Sequence, residues 1–250
     1  ANAVLGIEEK EAGVALIDIG GGTTDLAIFK DGIIRHTAVI PFGGNVITED
    51  IKEGCSIIEK QAELLKIKFG SAWPGENKDN EIVSIPGLRG REPKEISLKN
   101  LSKIIHARVI EIVEQVYLEI KNYGHEDQKK KLIAGIVLTG GGAQLKHLKQ
   151  LVEYITGMDT RVGFPNEHMA GDSDSEVTSP MYATAVGLVL NGLENNKINE
   201  VEDEEIINKE LEPLTNEELD KEIEEKLKPK RQGFFDKWVE NLKDFLDNAE

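Results

Sequence analysis

Apolar residues in the first part of the chain gather into short runs that glycine interrupts. From Val14 to Ile40 the order is apolar run, glycine turn, apolar run, Asp31-Gly32 and a third apolar run. That order predicts an antiparallel meander of three strands. From Thr48 to Gly70 the period changes, with Ile51, Ile57, Ile58, Leu64 and Leu65 at helical spacing. Residues 71–94 carry Pro74, Pro86, Pro93 and several glycines around the strand-like EIVSI, so loop should dominate there. SLKNLSKIIHARVIEIVEQVYLEIKNYG predicts a long amphipathic helix, capped by Ser97 and ended by Gly124. LIAGIVLTGGG predicts a buried strand that enters a second triple glycine, and residues 146–156 and 180–190 predict two further helices.

The end of the chain, RQGFFDKWVENLKDFLDNAE, has the sharpest segregation. At ~100° per residue, Phe234, Phe235, Trp238, Val239, Leu242, Phe245 and Leu246 fall within an arc of about 140°. Asp236, Lys237, Glu240, Asn241, Lys243, Asp244, Asp247 and Asn248 fill the opposite arc. Such a helix either docks on protein or lies in the plane of a membrane surface.

Charge separates these two regions. Between Ile198 and Glu225 thirteen acids stand against Lys209 and Lys221, most of the overall −16. This acidic run cannot bury enough apolar surface to order itself and reads as a solvated linker. A linker would let the last helix reach away from the body, which favours the membrane. Lys226, Lys228, Lys230 and Arg231 at its entrance would favour anionic lipid. Asp236, Glu240, Asp244 and Asp247 would oppose it, so the aromatic residues must drive insertion. The same net charge argues against non-specific nucleic-acid binding, which needs a basic footprint. Cys55 is the only cysteine, which excludes a disulfide framework and fits a reducing, cytoplasmic setting. No run approaches the ~20 apolar residues of a membrane span. A chain of 250 residues suits one large domain or two smaller ones, and one that opens on Ala1 rather than Met is expected to be a fragment.

The first glycine turn, in VALIDIGGGTTDLAIF, lacks the Lys-Ser or Lys-Thr of a Walker loop and leads into a strand rather than a helix. A strand–Gly-Gly-Gly–strand turn exposes a row of backbone N–H groups, and such a nest binds anions, phosphate above all. Asp18 and Asp25 would repel a bare phosphate but make sense with Mg²⁺ held between them and it, through the metal's waters. The alternative is a plain hairpin whose glycines supply positive φ and whose Asp25 is a turn residue. Gly140–Gly142 after GIVLT, a second such turn at the end of a buried strand, weighs against that alternative.

These stretches carry a resemblance. LIDIGGGTTDLAIF resembles the second phosphate motif of the actin, sugar-kinase and heat-shock-chaperone ATPases, and GIVLTGGGAQL resembles their adenosine motif. SPMYATAVGLVL is similar to the helix that follows near the hinge. FGGNVITEDI and QAELLKIKFGSA narrow the resemblance to FtsA, the actin-like cell-division family, and IPGLRGREPKEIS is similar to its Bacteroidetes-type members. The resemblance covers 1–193. It implies an α/β fold: half of an actin-like (ribonuclease H-like) ATPase with a smaller inserted α/β subdomain, then a disordered acidic linker and a C-terminal amphipathic helix. The implied divisions are 1–43 with 101–193 as subdomain IIA, 44–100 as IIB, 194–232 as linker and 233–250 as membrane-targeting helix.

By position, the resemblance implies that Gly20, Gly21, Gly22, Thr23 and Thr24 wrap the phosphates of ATP, with Asp18 and Asp25 on the water-mediated Mg²⁺. Glu63 and Lys66, three apart on one helix face, would take the ribose and flank the adenine; an ordinary surface ion pair is the alternative. Gly140, Gly141, Gly142 and Ala143 would back the adenosine. No second Asp-x-Gly-type hairpin precedes Val14, so half a clamp should bind ATP weakly and hydrolyse it at most feebly; no catalytic residue is assigned. The implied function is to polymerise as actin does and to hold FtsZ filaments, by the FtsZ C-terminal tail, at the cytoplasmic face of the cell membrane at the septum. Arg89, Arg91 and Lys94 are a candidate patch for that tail, or simply solvated loop charge. Rival readings are a sugar kinase or chaperone, an inner-membrane adaptor of a pilus-type assembly, and a nucleotide-free scaffold of the same fold.

Overall fold

Two parallel strands, all but one of whose residues are buried, lie within a five-stranded sheet. The computed structural model describes residues 1–78, 80–87, 92–165, 177–193 and 195. A short helix, α1 (Ile7–Ala12), leads into β1 (Val14–Ile19), β2 (Thr24–Lys30) and β3 (Ile33–Ile40). These three form the antiparallel meander that the order of apolar runs and turns predicts. Asp31 and Gly32 both have positive φ, as the two-residue hairpin turn between right-twisted strands requires. Next come α2 (Gly44–Cys55), α3 (Glu59–Phe69), β4 (Ile82–Ile85), β5 (Lys94–Ser97) and α4 (Leu98–Tyr123). The chain continues through β6 (Ile136–Thr139), α5 (Leu148–Thr156) and β7 (Thr160–Val162), and residues 183–193 are helical, here α6.

The sheet order is β3-β2-β1-β6-β7, with β1, β6 and β7 parallel. Every residue of β6 is buried, as are five of six in β1, which is what a parallel pair covered on both faces demands. β3 is an edge strand with mostly exposed positions. The apolar stripe of α4, from Leu101 through Ile105, Val109, Ile112 and Val116 to Ile120, lies in the same core as Ile17, Leu26, Ile28 and Leu138. On the other face Val14, Leu16, Phe29 and Val137 pack with Ala3, Val4, Leu5, Ala183 and, on α6, Val186 and Leu190.

Several expectations need correction. The helical period over 48–70 resolves into two helices, because Ser56 adopts a left-handed conformation (φ 49°). Its N–H bonds the Glu53 carbonyl and that of Ile57 bonds Lys52, a Schellman closure with serine where glycine is usual. The loop expected up to Lys94 gives way to β5, which pairs with β4 as a separate two-stranded sheet. β7 is a strand that no local pattern announces. Ser97 precedes α4 without a side-chain capping bond, whereas Gly124 ends it in the left-handed conformation. The second triple glycine enters a short 3-10 turn, Gly141–Gln144, before α5 begins.

Candidate functional site: paired glycine turns at one sheet edge

β1 and β6 are parallel neighbours, with Asp18 opposite Thr139, so the two glycine turns leave the sheet side by side at the same edge. From there the chain departs in opposite directions, from β1 back into β2 and from β6 through α5 to β7. A sheet whose connections diverge in this way leaves a crevice at the carboxyl ends of the two strands, where α/β proteins place ligands.

The first turn is drawn tight by the Gly20 N–H, which donates to Thr23 O at 2.9 Å. Its carbonyls face α2: Gly20 O accepts from Gly44 N at 2.9 Å and Gly21 O from Asn45 N at 2.8 Å. With the carbonyls turned inward, the N–H groups of Gly21, Gly22 and Thr23 have no protein acceptor among the described residues. Gly21, Gly22 and Thr23 are all exposed. The arrangement can receive an anion on peptide hydrogens. The two threonines differ: Thr23 Oγ1 donates to Asp25 Oδ2 at 3.0 Å on the exposed side, while Thr24 is wholly buried and donates to Phe42 O at 2.8 Å. Thr24 thus braces the wall beneath the turn, and its hydroxyl does not face the open side.

The second turn packs against the first strand with no room for side chains. Gly140 has φ 82°, and a Cβ there would lie 2.3 Å from Asp18 Oδ1 and 2.6 Å from Ile19 O. At Gly142 it would lie 2.3 Å from the Ile19 side chain, whereas at Gly141 it would meet nothing within 4 Å. Gly140 and Gly142 are therefore needed for close approach to β1, and Gly141 alone of the three presents open backbone. Ala143 is buried beneath them. Gly140 N donates to Pro180 O at 3.1 Å, joining this turn to the approach to α6.

Asp18 and Asp25 are direct cross-strand partners, so both carboxylates stand on one face at the mouth of the crevice. Asp18 Oδ2 accepts from Thr184 Oγ1 of α6 at 2.9 Å, and Asp25 Oδ2 accepts from Thr23. Each retains an oxygen without a protein donor among the described residues. No group of three or more His, Cys, Asp or Glu that could hold a metal directly occurs among those residues. The donor set therefore fits a hydrated cation beside an anion better than a fully protein-coordinated ion.

Glu63 and Lys66 lie on α3 behind the first turn. Lys66 Nζ donates to Gly44 O at 2.8 Å, to Thr48 Oγ1 at 2.7 Å and to Glu63 Oε2 at 2.8 Å. All three ammonium donors are engaged, and the Thr48 hydroxyl closes a short hydrogen bond to Glu63. Burial pushes the Glu63 carboxyl up, but hydrogen bonds from Lys66 and Thr48 and the Lys66 charge outweigh it and leave the group below its ordinary range. The pair is an internal clasp between α2 and α3, not a free surface ion pair.

Three contributors carry no signal in their residue types: Gly43, Thr48 and Thr184. Gly43 is where α2 touches the turn, and a Cβ there would sit 2.6 Å from Gly20 O. Lys94 is described, and its Nζ reaches the Ser56 carbonyl at 3.5 Å. Arg89, Arg91, the acidic linker and the residues from Phe234 to Leu246 lie outside the described residues. No described helix is long and apolar enough to cross a membrane.

A family model described as Cell division protein FtsA matches residues 15–187. The chain is similar to the Cell division protein FtsA of Pseudomonas aeruginosa, 40% identical over 194 residues, which cover 78% of this chain and 45% of that protein. Its Neisseria meningitidis counterpart is 42% identical over 187 residues (75% and 44%), and that of Bacillus subtilis 36% over 197 (79% and 42%). The chain thus spans less than half the length of each of these relatives. Among solved structures, MreB 5 of Spiroplasma citri bound to AMPPNP superposes with a TM-score of 0.60 at 23% identity, covering 78% of this chain and 57% of that one. The PilM–PilN type IV pilus biogenesis complex gives 0.56 at 20% (74% and 47%). At these identities the two structural likenesses are of fold.

Proposed function

The chain belongs to the FtsA cell-division family and has the actin-like fold, and on that premise we propose that its paired glycine turns bind ATP and that it works as a membrane tether for division filaments. The observation that carries this reading is the row of unpaired N–H groups at Gly21, Gly22 and Thr23 beside the close-packed Gly140–Gly142 turn. The first turn takes the β- and γ-phosphates on peptide hydrogens, and the Thr23 hydroxyl turns from Asp25 to donate to them. Asp18 and Asp25 hold the waters of a Mg²⁺ ion, which supplies the positive charge that offsets the triphosphate. Gly141, with Ala143 beneath it, backs the adenosine. Glu63 keeps one oxygen for a ribose hydroxyl, while Lys66 acts through the clasp that fixes α2 behind the phosphates. The nucleotide favours self-association into actin-like filaments, and residues 44–100 take the acidic FtsZ tail.

The segment Phe234–Leu246 lies in the inner face of the cytoplasmic membrane through its aromatic side, at the end of the acidic tether. One such helix grips reversibly, and filaments hold by the avidity of many copies. The nucleotide part of this reading has support in MreB 5 of Spiroplasma citri, a fold relative whose solved structure is bound to AMPPNP. Two experiments test it. Addition of Mg-ATP is expected to slow hydrogen exchange at the amides of Gly21, Gly22 and Thr23, and unchanged exchange would remove the nucleotide claim. Trp238→Glu is expected to abolish co-sedimentation with anionic liposomes, and unaltered pelleting would remove the membrane claim.

A further inference from the structure

A hollow of about 520 Å³ lies on the solvent side of α5, lined by Trp73, Glu76, His147, Gln150, Glu153 and Tyr154. It shares no residue with the glycine turns. Trp73 and Tyr154 meet edge to face, their ring centroids 5.5 Å apart at 81°, and His106 stands edge-on to Trp73 at 6.4 Å. Tyr154 is nonetheless 77% exposed. The core contacts of α5 are made by Leu148, Leu151 and Val152, so this ring is not required to bury the helix. An aromatic side chain held in a fixed orientation against a second ring, and left in water, is characteristic of a recognition surface.

The polar wall is acidic. The Glu76 N–H donates to Trp73 O at 3.3 Å, but its carboxylate has no ion-pair or hydrogen-bond partner among the described residues. Glu153 Oε1 accepts from Thr160 N at 3.3 Å and stands 3.6 Å from Lys149 Nζ, and its second oxygen is open. His147 is held in place by the fold: it adopts φ 62°, and its Nδ1 pairs with the Ser71 hydroxyl at 2.9 Å. Two carboxylates beside two aromatic rings form a receptor for a cation, and a planar guanidinium satisfies both at once by stacking on a ring while it donates to carboxylates. Residues 1–197 are only mildly acidic, so the attraction of a basic partner rests on the two carboxylates at the hollow itself. A shallow hollow suits a side chain projecting from a polypeptide laid across the surface, whereas a free small molecule needs a site that encloses most of it.

We propose that the hollow between Trp73 and Tyr154 docks an arginine side chain presented by an extended basic segment of a partner protein. The test uses the full chain with Trp238→Phe, which leaves Trp73 as the only tryptophan. A nine-residue peptide of alternating arginine and serine is titrated by fluorescence and by calorimetry, beside its lysine counterpart and spermine. The expected result is saturable binding that alters Trp73 emission, weakens with salt and is severalfold poorer for the lysine peptide. Tyr154→Ala, at an exposed position and with circular dichroism checking the fold, should lower affinity for the arginine peptide about tenfold. The Glu76→Gln, Glu153→Gln double variant should do the same. Absence of saturable binding, or affinity equal to the parent's in Tyr154→Ala and in the double variant, overturns the proposal. Spermine binding as tightly as the arginine peptide also overturns it, since the site would then take a free cation.

Discussion

The Gly20 carbonyl accepts the Gly44 amide hydrogen at 2.9 Å, and so ties the glycine turn to the first turn of α2. The two backbones meet most closely at Gly43, where a Cβ would lie 2.6 Å from Gly20 O and 2.7 Å from Gly21 O. Neither oxygen can swing aside as a flexible side chain would. Gly43→Ala is expected to destabilise the fold by about 1–3 kcal/mol through this overlap and to loosen the turn. Gly141→Ala adds a methyl group to open space and should stay within about 0.5 kcal/mol of the parent. Denaturant titrations of the two variants check the contrast, and equal stabilities would contradict it.

The adjacent threonines separate structure from site. Thr24→Val removes the donor from the Phe42 carbonyl in a fully buried position and should cost about 1–2 kcal/mol. Once corrected for that loss of stability, nucleotide affinity should be unchanged. Thr23→Val lies on the exposed side and should leave stability within about 0.5 kcal/mol while it weakens Mg-ATP binding severalfold. Denaturation and nucleotide titration on the same two proteins distinguish the roles.

What was legible in the sequence is what short-range chemistry decides. The meander follows from apolar runs parted by the glycine turn and Asp31-Gly32, α4 from its apolar stripe, and its end from Gly124. β5 and β7 were not legible because KEIS and TRV carry no pattern of their own; they are strands because Ile82–Ile85 and Ile136–Leu138 supply partners. The same division runs through the site. Both glycine turns stand out as sequence, but their adjacency depends on the parallel pairing of β1 with β6. The Thr184 hydroxyl that holds Asp18 comes from 166 residues further on. Lys66 looks like any helix-surface lysine until α2 brings the Gly44 carbonyl to it.

That clasp yields a third prediction. Lys66→Met keeps the length of the side chain but withdraws a donor from Gly44 O, Thr48 Oγ1 and Glu63 together. A part-buried carbonyl and a partly exposed carboxylate lose their partner at once, so a loss of about 1–2 kcal/mol is expected. Lys66→Arg should not restore it, because a planar fork does not reproduce three bonds radiating from one nitrogen. With Lys66 gone, burial would no longer be opposed by the ammonium, and the Glu63 carboxyl should titrate at higher pH than in the parent. Thermal melts and carboxyl titration by NMR measure both effects. A Lys66→Arg protein as stable as the parent would show that charge alone sustains the clasp.

Glu9 and Arg161 join α1 to β7 by two hydrogen bonds, Nε to Oε1 at 2.7 Å and Nη2 to Oε2 at 2.6 Å. The hydrogen bonds from Arg161 hold the Glu9 carboxyl below its ordinary value, against the opposing effect of burial, with further help from the Gly6 amide and the Arg161 charge. A carboxyl whose folded pKa lies below its unfolded one binds fewer protons in the native state. Its stabilisation is therefore complete above the unfolded pKa and disappears as pH falls through the folded one. Glu9→Gln should lower stability at neutral pH by up to about 1 kcal/mol, since the pair is partly open to solvent. The deficit should shrink as the pH is lowered past the ordinary carboxylate range, because the parent then loses the same interaction by protonation. Urea midpoints for both proteins between neutral and acidic pH test this. A deficit that stays constant across that range would assign the stabilisation to neutral hydrogen bonding and packing, not to the ion pair.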